Sequence, residues 1–252
     1  MEQAISILQI SDLHLLTKSG EKMCNIDTEL SFCKVLEYAF SKHKKFDLIL
    51  VTGDLAQDPC QFNYQRIHQE LEKYHTKTVC LPGNHDDFSL MHQFIQSEHI
   101  NCDKLVRFKD WQVICLNSKK EGTQGGFLNS NELDFLDDLL KKHPTINTLI
   151  AVHHNSLPTK SRWLDTMTIE NSDEFFSLLK HHSQVKAITC GHIHQKQEIV
   201  KDNKLILGMP STCFQFKPNS TEYALDDNMP GYRILLLYST GEIKSDIYRL
   251  HS

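Results

Sequence analysis

The chain reads as an α/β protein, a single layered domain over residues 1–252 built on mixed sheets. Apolar runs of strand length alternate with helical patterns up to residue 190, and the remainder turns to strands and turns. Bulk points the same way. A chain of 252 residues buries a large core without staples, and its 40 % apolar and 23 % charged residues are those of a soluble globular protein. No internal repeat, low-complexity tract or Pro/Gly/Ser linker divides it.

Strands are predicted at residues 5–10, 47–52, 78–81, 112–117, 147–152 and 185–190. Helices are predicted at 27–45, 129–143 and 172–182. The second has readable ends. Asn129 followed by Glu132 suggests a capping box, Leu133, Leu136, Leu139 and Leu140 share a face, and Lys141, Lys142 and His143 precede Pro144. Residues 232–238 and 243–250 flank Ser239-Thr240-Gly241 as a hairpin.

The eight cysteines never form a C-x-x-C pair, and several lie in apolar runs, as Cys80 and Cys115 do, so no disulfide framework is expected. The apolar stretch 5–10 contains Gln9, runs straight into Ser11-Asp12 and follows no Lys or Arg. It is neither a signal peptide nor a membrane span, and a cytoplasmic protein is expected. A net charge of −5 gives no general attraction to nucleic acid, so no nucleic-acid or membrane partner is expected. A phosphate-bearing ligand would need a local positive site, which a pair of metal ions can supply.

Fifteen histidines are many for one domain, and most read as bland: His43 in a Lys-rich helix end, His75, His99, His143 and His251 in polar surroundings. Six of them gather in motifs that directly follow strands: Asp12-Leu13-His14, Gly53-Asp54, Gly83-Asn84-His85-Asp86, His153-His154 and Gly191-His192-Ile193-His194. Singly, each has an ordinary explanation as a strand end, a turn or a surface histidine. Together they deliver carboxylates, an amide and several imidazoles from separate strand ends. Such a donor set suits Mn²⁺, Fe²⁺ or Zn²⁺ and not Ca²⁺.

In this order the motifs resemble the signature of the calcineurin-like metallophosphoesterases. Trp163-Leu164-Asp165, the stretch from Pro210 to Pro218, and Pro230-Gly231-Tyr232-Arg233 further resemble the bacterial class III 3′,5′-cyclic AMP phosphodiesterases. The resemblance implies a four-layer α/β/β/α sandwich and two divalent ions per chain. Asp12, His14 and His194 would hold the first, Asn84, His153 and His192 the second, and Asp54 would bridge both. His153 is preferred to His154 because it directly follows the strand. His85 would face the substrate phosphate, with Asp54 as its catalytic companion, and His14, Asn84, His153 and His194 would also border the substrate. After the histidine pair many relatives carry prolines where this chain has Asn155-Ser156, which alters the rim and removes no ligand.

The expected reaction is hydrolysis of 3′,5′-cyclic AMP to 5′-AMP by a hydroxide bridging the two ions, taken as Fe²⁺ or Mn²⁺ with Zn²⁺ as a further candidate. Two dications, two carboxylates and one hydroxide leave a single positive charge, matched to a phosphodiester. Trp163, Phe214 and Phe216 are candidates to stack on the base or to wall its pocket. The alternatives are a hydrolase of another small diester (a 2′,3′-cyclic nucleotide or a glycerophosphodiester), a nuclease, a phosphomonoesterase, and a non-catalytic scaffold on the same fold. A nuclease would want a basic groove, and the one dense basic run, Lys42-His43-Lys44-Lys45, reads as a solvated helix end.

Overall fold

The computed structural model describes residues 4–251. In chain order the main strands are β1 (Ile5–Ile10), β2 (Leu48–Thr52), β3 (Thr78–Leu81), β4 (Ile100–Asn101), β5 (Leu105–Arg107) and β6 (Trp111–Cys115). They continue with β7 (Asn147–Val152), β8 (Val185–Cys190), β9 (Gln197–Lys201), β10 (Lys204–Gly208), β11 (Gly231–Leu237) and β12 (Ile243–Arg249). The helices are α1 (Thr28–Lys42), α2 (Gln61–Glu72), α3 (Phe88–Phe94), α4 (Ser130–Lys142) and α5 (Ser172–Leu179).

Among the described residues the twelve strands form two six-stranded sheets, ordered β12-β11-β1-β2-β3-β4 and β9-β10-β8-β7-β6-β5. Strands β1 to β4 are parallel, and β11 and β12 add an antiparallel hairpin. In the second sheet β6, β7, β8 and β10 are parallel, with antiparallel edges β5 and β9.

Side-chain alternation sets the layers. Ile7, Leu48, Leu50, Val79, Leu149, Ala151 and Ala187 meet between the sheets. The intervening Leu8, Ile10, Ile49 and Val51 pack outward against Phe32, Val35, Leu36, Tyr64 and Ile67 of α1 and α2. Ile150, Val152 and Ile188 pack against Leu133, Leu136 and Leu140 of α4 and Phe175 and Leu179 of α5. This is the four-layer α/β/β/α arrangement with mixed sheets. Strands buried on both faces read as largely apolar runs, which is how the sequence showed them.

Local differences have local causes. Asn129 does cap α4, its Oδ1 accepting from the Glu132 amide at 3.1 Å. The reciprocal half of the box is absent, because Glu132 accepts instead from Lys104 Nζ (2.8 Å) and the Asn117 amide (3.2 Å). Helix α1 stops at Lys42, short of the expected 45, and α5 at Leu179, short of 182. Helices α2 and α3 were not anticipated. Each sets a phenylalanine in solvent, Phe62 and Phe88, which blurs the apolar face by which a helix is recognised. No helix among the described residues is long and apolar enough to cross a membrane.

Parallel strands send their carboxyl ends to one edge. There β1 runs into Asp12, β2 into Gly53-Asp54, β3 into Gly83-Asn84, β7 into His153 and β8 into Gly191-His192.

Candidate metal centre

The chain leaves these strands by turns that side chains resist. Asp12 (φ 55°), His14 (47°), Asp54 (51°), His192 (65°) and His194 (46°) are all left-handed. Each such non-glycine residue costs on the order of 1–3 kcal/mol and persists only where its surroundings enforce it. The motif glycines make that possible by giving way to neighbouring motifs. A Cβ on Gly53 would stand 2.4 Å from His153 Nδ1, on Gly83 2.1 Å from Asp54 Oδ1, and on Gly191 2.8 Å from Asp12 Oδ2. The five motifs therefore interlock.

Their donor atoms converge. His194 Nε2 lies 3.3 Å from Asp12 Oδ1 and 3.3 Å from His14 Nε2. His153 Nε2 lies 3.3 Å from Asp54 Oδ2 and 3.0 Å from Asn84 Oδ1. His14 Nε2 reaches to 3.8 Å from Asp54 Oδ2, so Asp54 stands between the two groups. The backbone amides of His192 and His85 donate to Asp12 and Asp54 respectively.

What faces outward fixes what faces inward. His14 Nδ1 is 2.9 Å from Gln57 Oε1, His153 Nδ1 2.8 Å from the Thr52 carbonyl, and His194 Nδ1 2.8 Å from the Phe214 carbonyl. Carbonyl oxygens only accept, so each Nδ1 carries a proton and each Nε2 turns toward the cluster. His192 Nε2 is buried there without a hydrogen-bond partner among the described residues. Burial drops His14 to about 4 despite the opposing pull of Asp54, and holds His192 well below its ordinary value. These are neutral imidazoles, the ligating form. Burial also works to lower His153, yet Asp54 beside it lifts it to about 9. The carboxylates thus call for positive charge at this place. The donors fit a pair of divalent cations.

His154 is close enough to His153 and His192 to share an ion with them. Its nitrogens are already used: Ser118 Oγ lies 2.7 Å from Nδ1, and Nε2 donates to the Gln124 carbonyl at 3.1 Å. Burial and the adjacent His153 push it down to about 3. His85 stays half-buried at the cleft, edge-on to His14 at 5.2 Å, with Nδ1 3.3 Å from the Gln57 carbonyl.

Residues 5–196 match the family described as Calcineurin-like phosphoesterase. The chain belongs to the calcineurin-like phosphoesterases. It is 36 % identical to the 3′,5′-cyclic adenosine monophosphate phosphodiesterase CpdA of Vibrio vulnificus, covering 100 % of this chain and 92 % of that one. It is 37 % identical to a 3′,5′-cyclic-nucleotide phosphodiesterase of a Nostoc species, over 98 % and 92 %. A dimetal phosphatase of Danio rerio shares the fold at a TM-score of 0.63 and 13 % identity, over 98 % and 99 %.

In this phosphoesterase an aromatic wall flanks the cluster. Phe214 stacks on His14 (5.4 Å between centroids) and Phe216 on His194 (4.2 Å), Trp163 stands edge-on to Phe216, and Tyr223 edge-on to Trp163. These rings and the cluster border a cleft of about 180 Å³. Phe214 is buried, whereas Trp163 and Phe216 keep partial exposure. The stretch after Pro210 supports the first motif: Ser211 Oγ donates to the Asp12 carbonyl at 2.8 Å and the Thr212 amide to the Ser11 carbonyl at 3.1 Å.

Three further residues, to which the sequence alone assigns no role, support the cluster. Gln57 orients His14. Gln124 Oε1 accepts from Asn84 Nδ2 and so turns Asn84 Oδ1 inward. Asp86 accepts from the amides of Gly83 (2.9 Å), Leu55 (3.1 Å) and Ala56 (3.1 Å) and from the Tyr64 hydroxyl (3.0 Å), tying the third motif to the second. Burial and the nearby Asp54 push it up to about 6. Asp86 belongs to a visible motif. Amides such as Gln57 and Gln124 carry no signature of their own.

Proposed function

We propose that this chain, as one domain, hydrolyses 3′,5′-cyclic AMP to 5′-AMP with two divalent ions, Fe²⁺ or Mn²⁺ before Zn²⁺. Asp12, His14 and His194 would hold one ion and Asn84, His153 and His192 the other, with Asp54 shared. Such ions lower the pKa of water and offset the charge that builds on phosphoryl oxygens. One observation carries the reading: imidazoles whose Nδ1 atoms are engaged outside turn Nε2 toward two buried carboxylates, with His192 Nε2 left unpartnered among the described residues.

The protein's own groups do the rest. His85, beside the cluster and in reach of solvent, binds a phosphoryl oxygen or gives a proton to the departing 3′-oxygen, a poor leaving group unless protonated. The Phe214, Phe216 and Trp163 wall excludes water from one side and offers ring faces and edges to a base. Among the described residues no lysine or arginine lines the cleft. A small, singly charged diester suits it better than a polyanion, which favours a cyclic nucleotide over a nucleic acid. The names of the two phosphodiesterase relatives support the same substrate class.

The test is incubation of Mn²⁺-loaded protein with cyclic nucleotides and model diesters in ¹⁸O-water, read by mass spectrometry. The expected product is 5′-AMP carrying one labelled phosphate oxygen. Release of 3′-AMP, or no turnover of cyclic AMP beside brisk cleavage of another diester, would overturn the substrate and leave the metal centre standing.

A further inference from the structure

Two of the histidines set aside as bland surface residues face each other at the opposite edge of the molecule. Glu72 ends α2, His75 lies in the turn before β3, and His99 immediately precedes β4. Their ligating atoms lie within 4.8 Å of one another. The placement follows from the chain. Glu72 is the last residue of α2, and His75 follows three positions later, outside the helix. His75 turns left-handed (φ 44°), and its ring meets that of His99 edge-on at 5.8 Å.

The group is held from behind. Ser97 Oγ donates to Glu72 Oε2 at 2.7 Å and itself accepts from the amides of His99 and Ile100 at 3.2 Å each. The Thr78 amide donates to the His99 carbonyl at 2.7 Å, and the His75 amide to the Glu72 carbonyl at 3.2 Å. A carboxylate fixed by a second residue is the usual support of a ligating oxygen. Neither histidine ring has a hydrogen-bond partner among the described residues. Two imidazoles, the exposed His75 and the half-buried His99, therefore stand together with an anchored carboxylate at the surface.

We propose that Glu72, His75 and His99 form a second metal site, for a single borderline divalent ion such as Zn²⁺. Two histidines and one carboxylate are a zinc donor set, leaving a fourth position to water. The site is separate from the phosphoesterase centre. Thr78 opens β3 at this edge, and Asn84 lies beyond its last residue, Leu81, at the other. At roughly 3.3 Å per residue the strand alone keeps the two sites more than ~10 Å apart. An ion here joins the end of α2 to the segment before the two-residue edge strand β4, a structural clip on that corner of the sheet.

The test is equilibrium dialysis of wild-type protein, His99→Ala, Glu72→Gln, Asp54→Ala and Asp54→Ala/His99→Ala against Zn²⁺ at fixed free concentration, with zinc counted by mass spectrometry. His99→Ala and Glu72→Gln should each hold one equivalent less than wild type, and the double variant one less than Asp54→Ala. Hydrolysis of bis(p-nitrophenyl) phosphate should be unchanged in His99→Ala, whose side chain makes no hydrogen bond within the fold. Equal zinc within each pair overturns the site, as does loss of turnover with the missing equivalent. Because Asp54→Ala disables only the other centre, a failure of the phosphodiesterase assignment would leave the paired zinc counts unaffected.

Discussion

His153 and His154 are adjacent, identical and both buried, and they differ in what their ring nitrogens meet. His153 gives Nδ1 to a carbonyl and turns Nε2 to Asp54 and Asn84, while His154 spends both nitrogens on Ser118 and Gln124. His153→Ala should lose one metal equivalent and nearly all turnover. His154→Ala should keep its metals and lose roughly 10–100-fold, through the Gln124 segment that positions Asn84. Metal counts on the two variants decide between them, and the reverse order would exchange their roles. His85→Ala should also keep its metals while its rate falls about 10²–10⁴-fold, the usual range for a lost general acid. A missing equivalent there would make His85 a ligand. At this scale the sequence was most legible where chemistry is rare: Asp12, His14, Asp54, Asn84, His192 and His194 stand out because imidazoles and carboxylates seldom follow strand after strand. Their orientation was not legible. It depends on the Thr52 and Phe214 carbonyls, which any residue type could supply.

Elements were legible in proportion to their burial. β1, β3, β7 and β8 fall where their apolar runs predict, because apolar residues predominate on both of their faces. The two-residue β4 and the solvent-facing α2 and α3 carry too little pattern to read. Motif glycines work at this same level, between one loop and the next, and two of them separate close approach from backbone strain. Gly83 has no left-handed φ, but an added Cβ would lie 2.1 Å from Asp54 Oδ1. Gly122 has φ 75° and open space around it. Gly83→Ala should therefore displace Asp54 and cost metal and roughly 10–100-fold in rate, a loss comparable to those of supporting residues around metal ligands. Gly122→Ala should cost about 1–2 kcal/mol of left-handed strain and leave turnover unchanged. Thermal melts and metal content measured together distinguish the two outcomes. Equal effects would mean that the interlocking of motifs is unimportant.

The whole molecule must hold two sheets at a set spacing, because the first contributes Asp12, His14, Asp54 and Asn84 while the second contributes His153, His192 and His194. Buried polar groups cross the gap. Arg233 on β11 donates to the Gly208 carbonyl on β10 at 2.7 Å and to Glu198 on β9 at 3.0 Å. Nearer the candidate centre, Thr189 Oγ1 on β8 donates to Gln9 Oε1 on β1 at 2.7 Å, and Gln9 Nε2 donates to Thr52 Oγ1 on β2 at 3.1 Å. Gln9 precedes Asp12 by three positions and Thr189 precedes His192 by three, so the bridge sits directly beneath the centre. Gln9→Leu would strand the Thr189 hydroxyl in an apolar layer, and an unsatisfied buried group costs about 1–3 kcal/mol. Thr189→Val removes that hydroxyl. In Gln9→Leu/Thr189→Val the stability loss should accordingly be smaller than the sum of the single losses, with a coupling of roughly 0.5–3 kcal/mol. Metal affinity should not recover in parallel, since neither valine nor leucine restores the directional tie that fixes the spacing. Denaturant melts on the four members of the cycle, paired with metal titrations, test both halves. Additive stabilities would remove the bridge, and metal affinity that recovers together with stability would show that the spacing is set elsewhere.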